Sequence, residues 1–189
     1  LASQRGQTPC RSDCEERGRC GKGSDPDFDL GIETMLDRPD FQQALRYVFE
    51  EKIPFCRALG LRLEIVRGAP RVHIAKQDFM LGNTKLKVLH GGVTAAVLDS
   101  IAGVAIMLRM VETDPKPDLE TQLKEFARLS TIDLRVDYLE PASAANFLAT
   151  ASVTRLGTRI ANVQMALHDD AGRCVATGAA AFSLRAPRG

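Results

Sequence analysis

The fold is decided by residues 88–108, which read VLHGGVTAAVLDSIAGVAIML. Beyond Gly92 nearly every residue is apolar or small, whichever way a helical wheel is turned. A helix that is apolar on all sides must be enclosed by protein, because a surface helix keeps one polar face. The pair Gly91 and Gly92 suits a helix entry, since glycine adapts to a tight turn. We therefore expect one fully buried central helix.

The residues around this helix alternate in the manner of strands. A helical stripe over residues 40–52 comes first and is ended by Pro54, and two short alternating runs follow at residues 61–66 and 72–74. After the central helix come four further strand patterns, at residues 131–138, 147–153, 161–167 and 174–184. Strands joined by short turns pair antiparallel, so we expect the last four to form a meander. The economical arrangement is an α+β fold in which an antiparallel sheet of about six strands curls around the helix, the hotdog architecture.

The length of 189 residues fits one domain. Residues 1–37 stand apart, because they are rich in Gly, Arg, Asp and Ser and show no sustained periodicity. We expect a flexible tail over residues 1–37 and a single domain over residues 38–189.

Composition argues against two classes of partner. The formal net charge is +1 and aromatic residues are 5% of the chain, so neither a basic face nor a stacking surface for nucleic acid is expected. The longest apolar run, residues 93–108, is interrupted by Asp99 and is shorter than the roughly 18 residues that a membrane span needs. We expect a protein that binds neither nucleic acid nor membrane.

The five cysteines are odd in number, and no signal-peptide pattern precedes them. A disulfide framework is therefore a poor interpretation, and a reducing cytoplasm is the expected location. Three of them, Cys10, Cys14 and Cys20, have a C-x3-C-x5-C spacing with no histidine near, which is a weak zinc pattern beside the alternative of an unstructured tail. We expect no metal and no cofactor.

Asp99 lies where an apolar residue is expected. An ionised carboxylate buried without partners is very costly, so such a group is paired, protonated or functional. One interpretation is a catalytic acid. The other is a structural carboxylate that accepts hydrogen bonds from Thr or Ser hydroxyls inside the core.

Gly91 and Gly92 open the helix, where the first backbone N–H groups have no internal acceptor and carry the positive end of the helix dipole. Aimed at a carbonyl oxygen, these groups would stabilise negative charge as an oxyanion hole does. A glycine turn required by backbone angles alone explains the same residues. His90 has the chemistry of a general base, and it can equally well position the glycine turn.

Several motifs together resemble one family. They are Gly82-Asn83, then VLHGG at residues 88–92 with Asp99 eight residues after Gly91, then TIDLRVDYLEP at residues 131–141 and RLGTR at residues 155–159. The chain is similar to the hotdog acyl-CoA thioesterases of the phenylacetate-degradation type over about residues 40–185. In many relatives the Asn precedes the His by six positions, whereas Asn83 precedes His90 by seven and Thr84 takes the sixth.

The resemblance implies an acyl-CoA thioesterase and a role for each matching residue. Asp99 would activate water or attack directly, the Gly91 N–H would polarise the thioester carbonyl, and Asn83 with His90 would position the substrate. Thr131 matches a position that helps to hold the attacking water, although a threonine is also an ordinary strand residue. The turn of Arg155, Gly157 and Arg159 matches a coenzyme A contact, and it can equally be a solvated hairpin tip.

A distance argument adds an expectation about assembly. Eight residues of helix separate Gly91 from Asp99 by about 12 Å, whereas a general base acts within about 3 Å of its proton. Two antiparallel helices from two subunits would bring Gly91 of one chain opposite Asp99 of the other. We expect a homodimer, or a dimer of such dimers, with the acyl-CoA site at the subunit interface, as the resemblance also implies.

Two alternatives come from other functional classes. A non-catalytic acyl-CoA-binding module would keep the glycine entry, but it would not need Asp99. A hotdog hydratase or dehydratase pairs a histidine with a carboxylate, and the spacing of His90 and Asp99 does not obviously serve that chemistry.

Overall fold

The computed structural model describes residues 35–185. The helical segments are a 3₁₀ turn Met35–Asp37, α1 Pro39–Tyr47 continued by a π-helical turn Val48–Lys52, α2 Pro54–Ala58, a 3₁₀ turn Asp78–Met80, α3 Gly91–Thr113 and α4 Leu119–Phe126. The first turn buries Leu36. Most of the predicted tail and the three clustered cysteines lie outside the described residues, so the domain boundary and the zinc alternative stay predictions.

The predicted sheet around a helix is confirmed. The eight strands are β1 Arg62–Val66, β2 Ala69–Ala75, β3 Leu81–Asn83, β4 Val88–Leu89, β5 Ser130–Tyr138, β6 Asn146–Leu156, β7 Ile160–Asp169 and β8 Cys174–Ser183. Six of them form one antiparallel sheet in the order β1-β2-β6-β7-β8-β5, and β3 pairs with β4 in a separate two-stranded ribbon. Buried and exposed side chains alternate along β2 and β7, as a sheet with one covered face requires.

The expected four-strand meander is wrong in one respect. Strands β6, β7 and β8 follow one another, but β5 pairs with β8 and lies at the sheet edge instead of beside β6. The connection from β5 to β6 is residues 139–145, which is longer than a tight hairpin turn. Seven extended residues reach about 23 Å, which exceeds the roughly 14 Å across three strand spacings, so the chain can cross the end of the sheet.

Helix α3 lies in the concave face of the sheet and contacts β2, β5, β6, β7 and β8. Its fully buried side chains include Leu98, Ile101 and Ile106, which join the main hydrophobic core. By length and composition alone α3 would suit a membrane span, and half of its apolar stretch is buried inside the fold. The expected full burial of this helix is therefore wrong for the single chain, because the sheet covers only one side of it. The helix therefore serves as the centre of the core, and its two ends and its uncovered side are the places where function can be built.

Candidate active site

The entry to α3 is fixed by the β3–β4 ribbon. The His90 N–H donates to the Met80 carbonyl at 2.8 Å, and Gly82 lies directly against the His90 backbone. His90 itself is extended, with φ −63° and ψ 134°, so the helix begins at Gly91. The ribbon thus holds the first turn of α3 in place from outside the helix.

His90 caps this helix with its side chain. The Gly92 N–H donates to His90 Nδ1 at 2.9 Å, which leaves the ring proton on Nε2. The His90 carbonyl accepts the first helical hydrogen bond, from the Val93 N–H at 2.9 Å. Because the nitrogen that would receive a proton is already occupied, this geometry favours positioning over proton transfer for His90.

Gly91 presents an unused donor. Within residues 35–185 the Gly91 N–H has no hydrogen-bond acceptor, whereas the next N–H, of Gly92, is capped. The Gly91 carbonyl accepts a hydrogen bond from the Tyr138 hydroxyl at 2.8 Å. The contact of Tyr138 with Gly91 was not predicted from the sequence. Tyr138 completes an alternating strand pattern, which indicates only the face of the strand on which it lies.

The structure brings Asp99 and Thr131 together. The Thr131 hydroxyl donates to Asp99 Oδ1 at 2.9 Å, linking α3 to the edge strand β5. Within the described part of the chain no group donates to Asp99 Oδ2. The carboxylate does accept a threonine hydroxyl, as the structural alternative proposed, but Asp99 is only half-buried and Thr131 is exposed. The second carboxylate oxygen is therefore available to a substrate or to water.

A buried thiol lies behind this carboxylate. Cys56 Sγ is 3.8 Å from the Ser100 hydroxyl, which itself donates to the Ala96 carbonyl at 2.8 Å. Burial raises the pKa of the Cys56 thiol, and the nearby Asp99 charge raises it further. The thiol stays protonated near neutral pH, so it is a poor candidate for a nucleophile.

Asn83 is placed apart from the other candidates. Its side-chain oxygen accepts hydrogen bonds from the backbone N–H groups of Lys85 and Leu86 at 3.1 and 3.0 Å, closing the exposed β3–β4 turn. This is an Asx turn, a structural use of asparagine. Asn83 supports the helix entry through the ribbon in this structure, and the predicted direct contact with substrate stays a prediction.

The turn between β6 and β7 lies near the other end of α3. Arg155 and Gly157 line a cavity of about 390 Å³ together with Arg109 and Thr113 of the helix. Both Arg155 and Arg159 are exposed, and neither forms an ion pair within residues 35–185. A Cβ at Gly157 would lie 2.9 Å from the Ile160 carbonyl oxygen, so the tight turn requires glycine. Two guanidinium groups on a narrow turn suit phosphate oxygens.

The candidate residues thus form three separate groups: the capped helix entry, the Asp99–Thr131 pair and the arginine turn. Eight residues of α3 separate Gly91 from Asp99 by about 12 Å. No group of three or more His, Cys, Asp or Glu side chains suited to a metal is found where the structure describes the chain. The chemistry that these residues can support by themselves is proton transfer at Asp99 and stabilisation of negative charge at the Gly91 N–H.

Comparison with known proteins identifies the family. Residues 86–176 match the model of the thioesterase superfamily. The chain is 38% identical over 150 residues to the medium/long-chain acyl-CoA thioesterase YigI of Salmonella typhimurium, covering 76% of this chain and 95% of that protein.

Solved structures with a similar fold also include thioesterase-related proteins. A protein of Shewanella oneidensis related to the thioesterase superfamily superposes with a TM-score of 0.71 and 32% identity, covering 78% of this chain and 99% of the other. A phenylacetic acid degradation-related protein of Ralstonia eutropha has a TM-score of 0.56 and 27% identity, covering 76% and 98%.

Proposed function

The chain belongs to the thioesterase superfamily, and from this premise we propose that it hydrolyses medium- to long-chain acyl-CoA to a free acid and coenzyme A. The observation that carries the proposal is the pair of Asp99 and Thr131. A half-buried carboxylate in an otherwise apolar helix, held on one oxygen and open on the other, is what a general base needs. We base the proposed preference for medium to long acyl chains on the name of the Salmonella relative.

The reaction requires a base, a water molecule and a site for the developing oxyanion. Asp99 Oδ2 takes a proton from water while the water oxygen bonds to the thioester carbon, and the carbonyl oxygen becomes negative. Collapse of this intermediate breaks the C–S bond, and the thiolate leaves with the proton that Asp99 held. The Thr131 hydroxyl keeps the carboxylate oriented throughout. Direct attack by Asp99, giving a mixed anhydride that water then cleaves, uses the same open oxygen.

The Gly91 N–H supplies the oxyanion contact. It is the first donor of α3, it has no protein acceptor in the described residues, and it lies at the positive end of the helix dipole. His90 supports this donor by capping the neighbouring Gly92 N–H. Glycine at position 91 leaves room for the thioester to approach.

We place the complete site between two subunits. The separation of Gly91 from Asp99 within one chain exceeds the reach of a single thioester group. Strand β5, which carries Thr131, is a sheet edge, and its exposed side chains include Ile132 and Tyr138, each 57% exposed in the single chain. An unpaired edge strand that exposes apolar side chains among its charged ones, as β5 does, can pair with a second copy. A two-fold homodimer with antiparallel α3 helices would produce two equivalent sites, and two dimers could associate further.

The arginine turn would hold the nucleotide part of coenzyme A. Arg155 and Arg159 have no carboxylate partner in residues 35–185, and their charges suit the phosphate groups. The turn is near the end of α3 that is distant from Gly91, since it shares a cavity with Arg109. A substrate bound between two antiparallel chains can therefore take its phosphate contacts and its oxyanion contact from different subunits.

We further propose a cytoplasmic location. Cys56 and Cys174 are both free thiols in the structure, which suits a reducing compartment.

The proposal is tested by measuring free thiol released from acyl-CoA substrates of short, medium and long chain length. We expect wild-type turnover with a maximum at medium or long chains. Asp99→Asn keeps an acceptor for the Thr131 hydroxyl but removes the base, and it should lower kcat by about 10² or more. Asp133→Asn, an exposed acid on the same strand as Thr131, is the matched control. Equal turnover by wild type and Asp99→Asn would exclude Asp99 as the base.

A further inference from the structure

We propose that Tyr138 is a positioning residue for the oxyanion contact, acting together with His90 as a clamp on one peptide unit. The inference rests on the proposed function, because it assigns the Gly91 N–H to the thioester carbonyl. It concerns a residue on the edge strand, 47 positions from the glycine that it contacts.

The clamp consists of two hydrogen bonds to the peptide that joins Gly91 to Gly92. At one end of this peptide the Gly91 carbonyl accepts from the Tyr138 hydroxyl at 2.8 Å. At the other end the Gly92 N–H donates to His90 Nδ1 at 2.9 Å. Because a peptide group is planar, two contacts at opposite ends fix the orientation of the whole unit.

Two consecutive glycines need such support more than other residues do. Glycine is the residue with the widest range of backbone angles, so an unsupported Gly-Gly pair can rotate its shared peptide. The preceding peptide is held only by its carbonyl, because His90 O accepts from Val93 while the Gly91 N–H stays open. With one peptide held at the His90 carbonyl and the next held by the clamp, rotation at the Gly91 Cα between them is restricted, and with it the direction in which the open N–H points. An oxyanion donor acts through such prior orientation.

The Tyr138 ring also accounts for the absence of a side chain at position 91. A Cβ placed there would lie 3.2 Å from the Tyr138 hydroxyl oxygen and 3.3 Å from two ring carbons. Tyr138, Gly91 and Thr94 line one cavity of about 350 Å³ beside the helix entry. The tyrosine thus occupies the space beside Gly91, leaving the N–H side open to the substrate.

A purely structural role does not fit this residue well. Tyr138 is 57% exposed in the single chain and does not belong to the hydrophobic core. Within residues 35–185 its side chain forms a single hydrogen bond, which is directed at the helix entry. Loss of the hydroxyl should consequently change the rate of the chemical step more than it changes the stability of the fold.

The test compares Tyr138→Phe with Tyr47→Phe. The chain has two tyrosines, and Tyr47 is an exposed residue of α1 whose ring, like that of Tyr138, is kept by phenylalanine. We expect Tyr138→Phe to lower kcat about three- to tenfold with KM and Tm unchanged, the size of one lost neutral hydrogen bond. Tyr47→Phe should match wild type in all three quantities. A wild-type kcat for Tyr138→Phe, or a loss confined to KM, would overturn the inference.

A double-mutant cycle with His90→Ala tests the clamp itself. If both side chains hold the same peptide, the double variant should lose less than the product of the two single losses. Independent, multiplicative losses would show that the two contacts do not act as a unit and would overturn the clamp. If wild type and Tyr47→Phe hydrolyse no acyl-CoA, the proposed function fails. If both hydrolyse it and Tyr138→Phe does so equally well, only this inference fails.

Discussion

The Thr131 hydroxyl donates a 2.9 Å hydrogen bond to Asp99 Oδ1 and so joins the middle of the central helix to the edge strand of the sheet. The contact uses one carboxylate oxygen and leaves the other without a donor within residues 35–185. A carboxylate held in this way keeps its second oxygen free to act as a base. Thr131, which holds it, lies on β5, the strand that we place at the subunit interface. The proposed dimer would couple assembly to catalysis through Asp99 and Thr131.

Removal of the Thr131 hydroxyl should reduce turnover. Thr131→Val keeps the branched shape that suits a strand but loses the hydrogen bond that orients Asp99. We expect kcat to fall about tenfold or more, the effect of one hydrogen bond to a charged group. Thr131→Ser keeps the hydroxyl and should recover most of the activity in the same thiol-release assay. An inactive Thr131→Ser would argue that the methyl group, and not the hydrogen bond, matters.

The Gly91 N–H is deleted by Gly91→Pro, and Gly91→Ala is the matched control, because both variants place a Cβ against the Tyr138 ring. Proline is well accepted at the first position of a helix, and His90 already has the extended backbone that precedes proline. Gly91→Pro should lower kcat by about 10²–10³ relative to Gly91→Ala, because alanine adds a Cβ but keeps the N–H. Circular dichroism would verify that both variants are folded. Similar activity in the two variants would remove the N–H from the mechanism.

Shared sites predict rescue between two inactive variants. If Gly91 of one subunit works with Asp99 of the other, a heterodimer of Gly91→Pro and Asp99→Asn holds one intact site and one doubly defective site. Random reassembly of equal amounts should restore about one quarter of wild-type activity, since half of the dimers are mixed and each has one working site. The mixture would stay inactive if each site came from a single chain.

The arginine turn should affect substrate binding through phosphate. Arg155→Gln is expected to raise KM for acyl-CoA about three- to tenfold and to weaken its dependence on salt. An acyl-pantetheine substrate, which lacks the nucleotide phosphates, should show no such change. Arg71→Gln, on the outer face of β2, is the control variant. A similar rise in KM for both substrates would point to a structural effect of the turn.

The β7–β8 hairpin should give the fold an acid-sensitive element. Burial by itself would raise the pKa of Asp169, but the hydrogen bonds from the Arg173 backbone N–H and guanidinium outweigh it and hold the pKa below its ordinary value of 3.8. The unfolded chain therefore binds the proton more readily than the folded one, so the stabilisation is complete above the ordinary pKa and is lost as pH falls below it.

Thermal unfolding followed from about pH 7 down to about pH 2, which includes the range below the ordinary pKa, measures the effect. Asp169→Asn should have a lower Tm at pH 7 and a flatter decline towards acid than wild type. Asp170→Asn, the exposed neighbour, should follow the wild-type curve. Identical curves for wild type and Asp169→Asn would contradict the assignment.

Much of the fold could be predicted because the patterns are strong. A helix without a polar face has to be covered, and the sheet covers one side of α3 while half of its apolar stretch stays uncovered in the single chain. The thioesterase resemblance is confirmed at the level of the superfamily, and the phenylacetate-type grouping stays a prediction. The position of β5 could not be predicted, because alternation along a strand tells which face is covered but not which strand lies beside it.

The candidate site, like the fold, could be predicted only in part. The motifs singled out Asp99, Thr131 and His90, and the structure adds that Thr131 contacts Asp99 and that His90 caps α3. The catalytic roles of these residues stay predictions. Helix α4 was missed, although Asp118 caps it by accepting the Thr121 N–H at 2.8 Å and was a readable start signal. The Asx turn of Asn83 depends on local backbone angles, which a matching motif does not report.

Gly82 touches no candidate catalytic atom, yet a Cβ there would come within 2.8 Å of the His90 Cα. That neighbour is main chain and cannot rotate aside, so even alanine would push the ribbon away from the start of α3. Natural selection on turnover would therefore constrain position 82 as tightly as a substrate-contacting one. A mutant library restricted to substrate-contacting positions would not include position 82. An experiment that accumulates neutral substitutions would be expected to leave Gly82 unchanged.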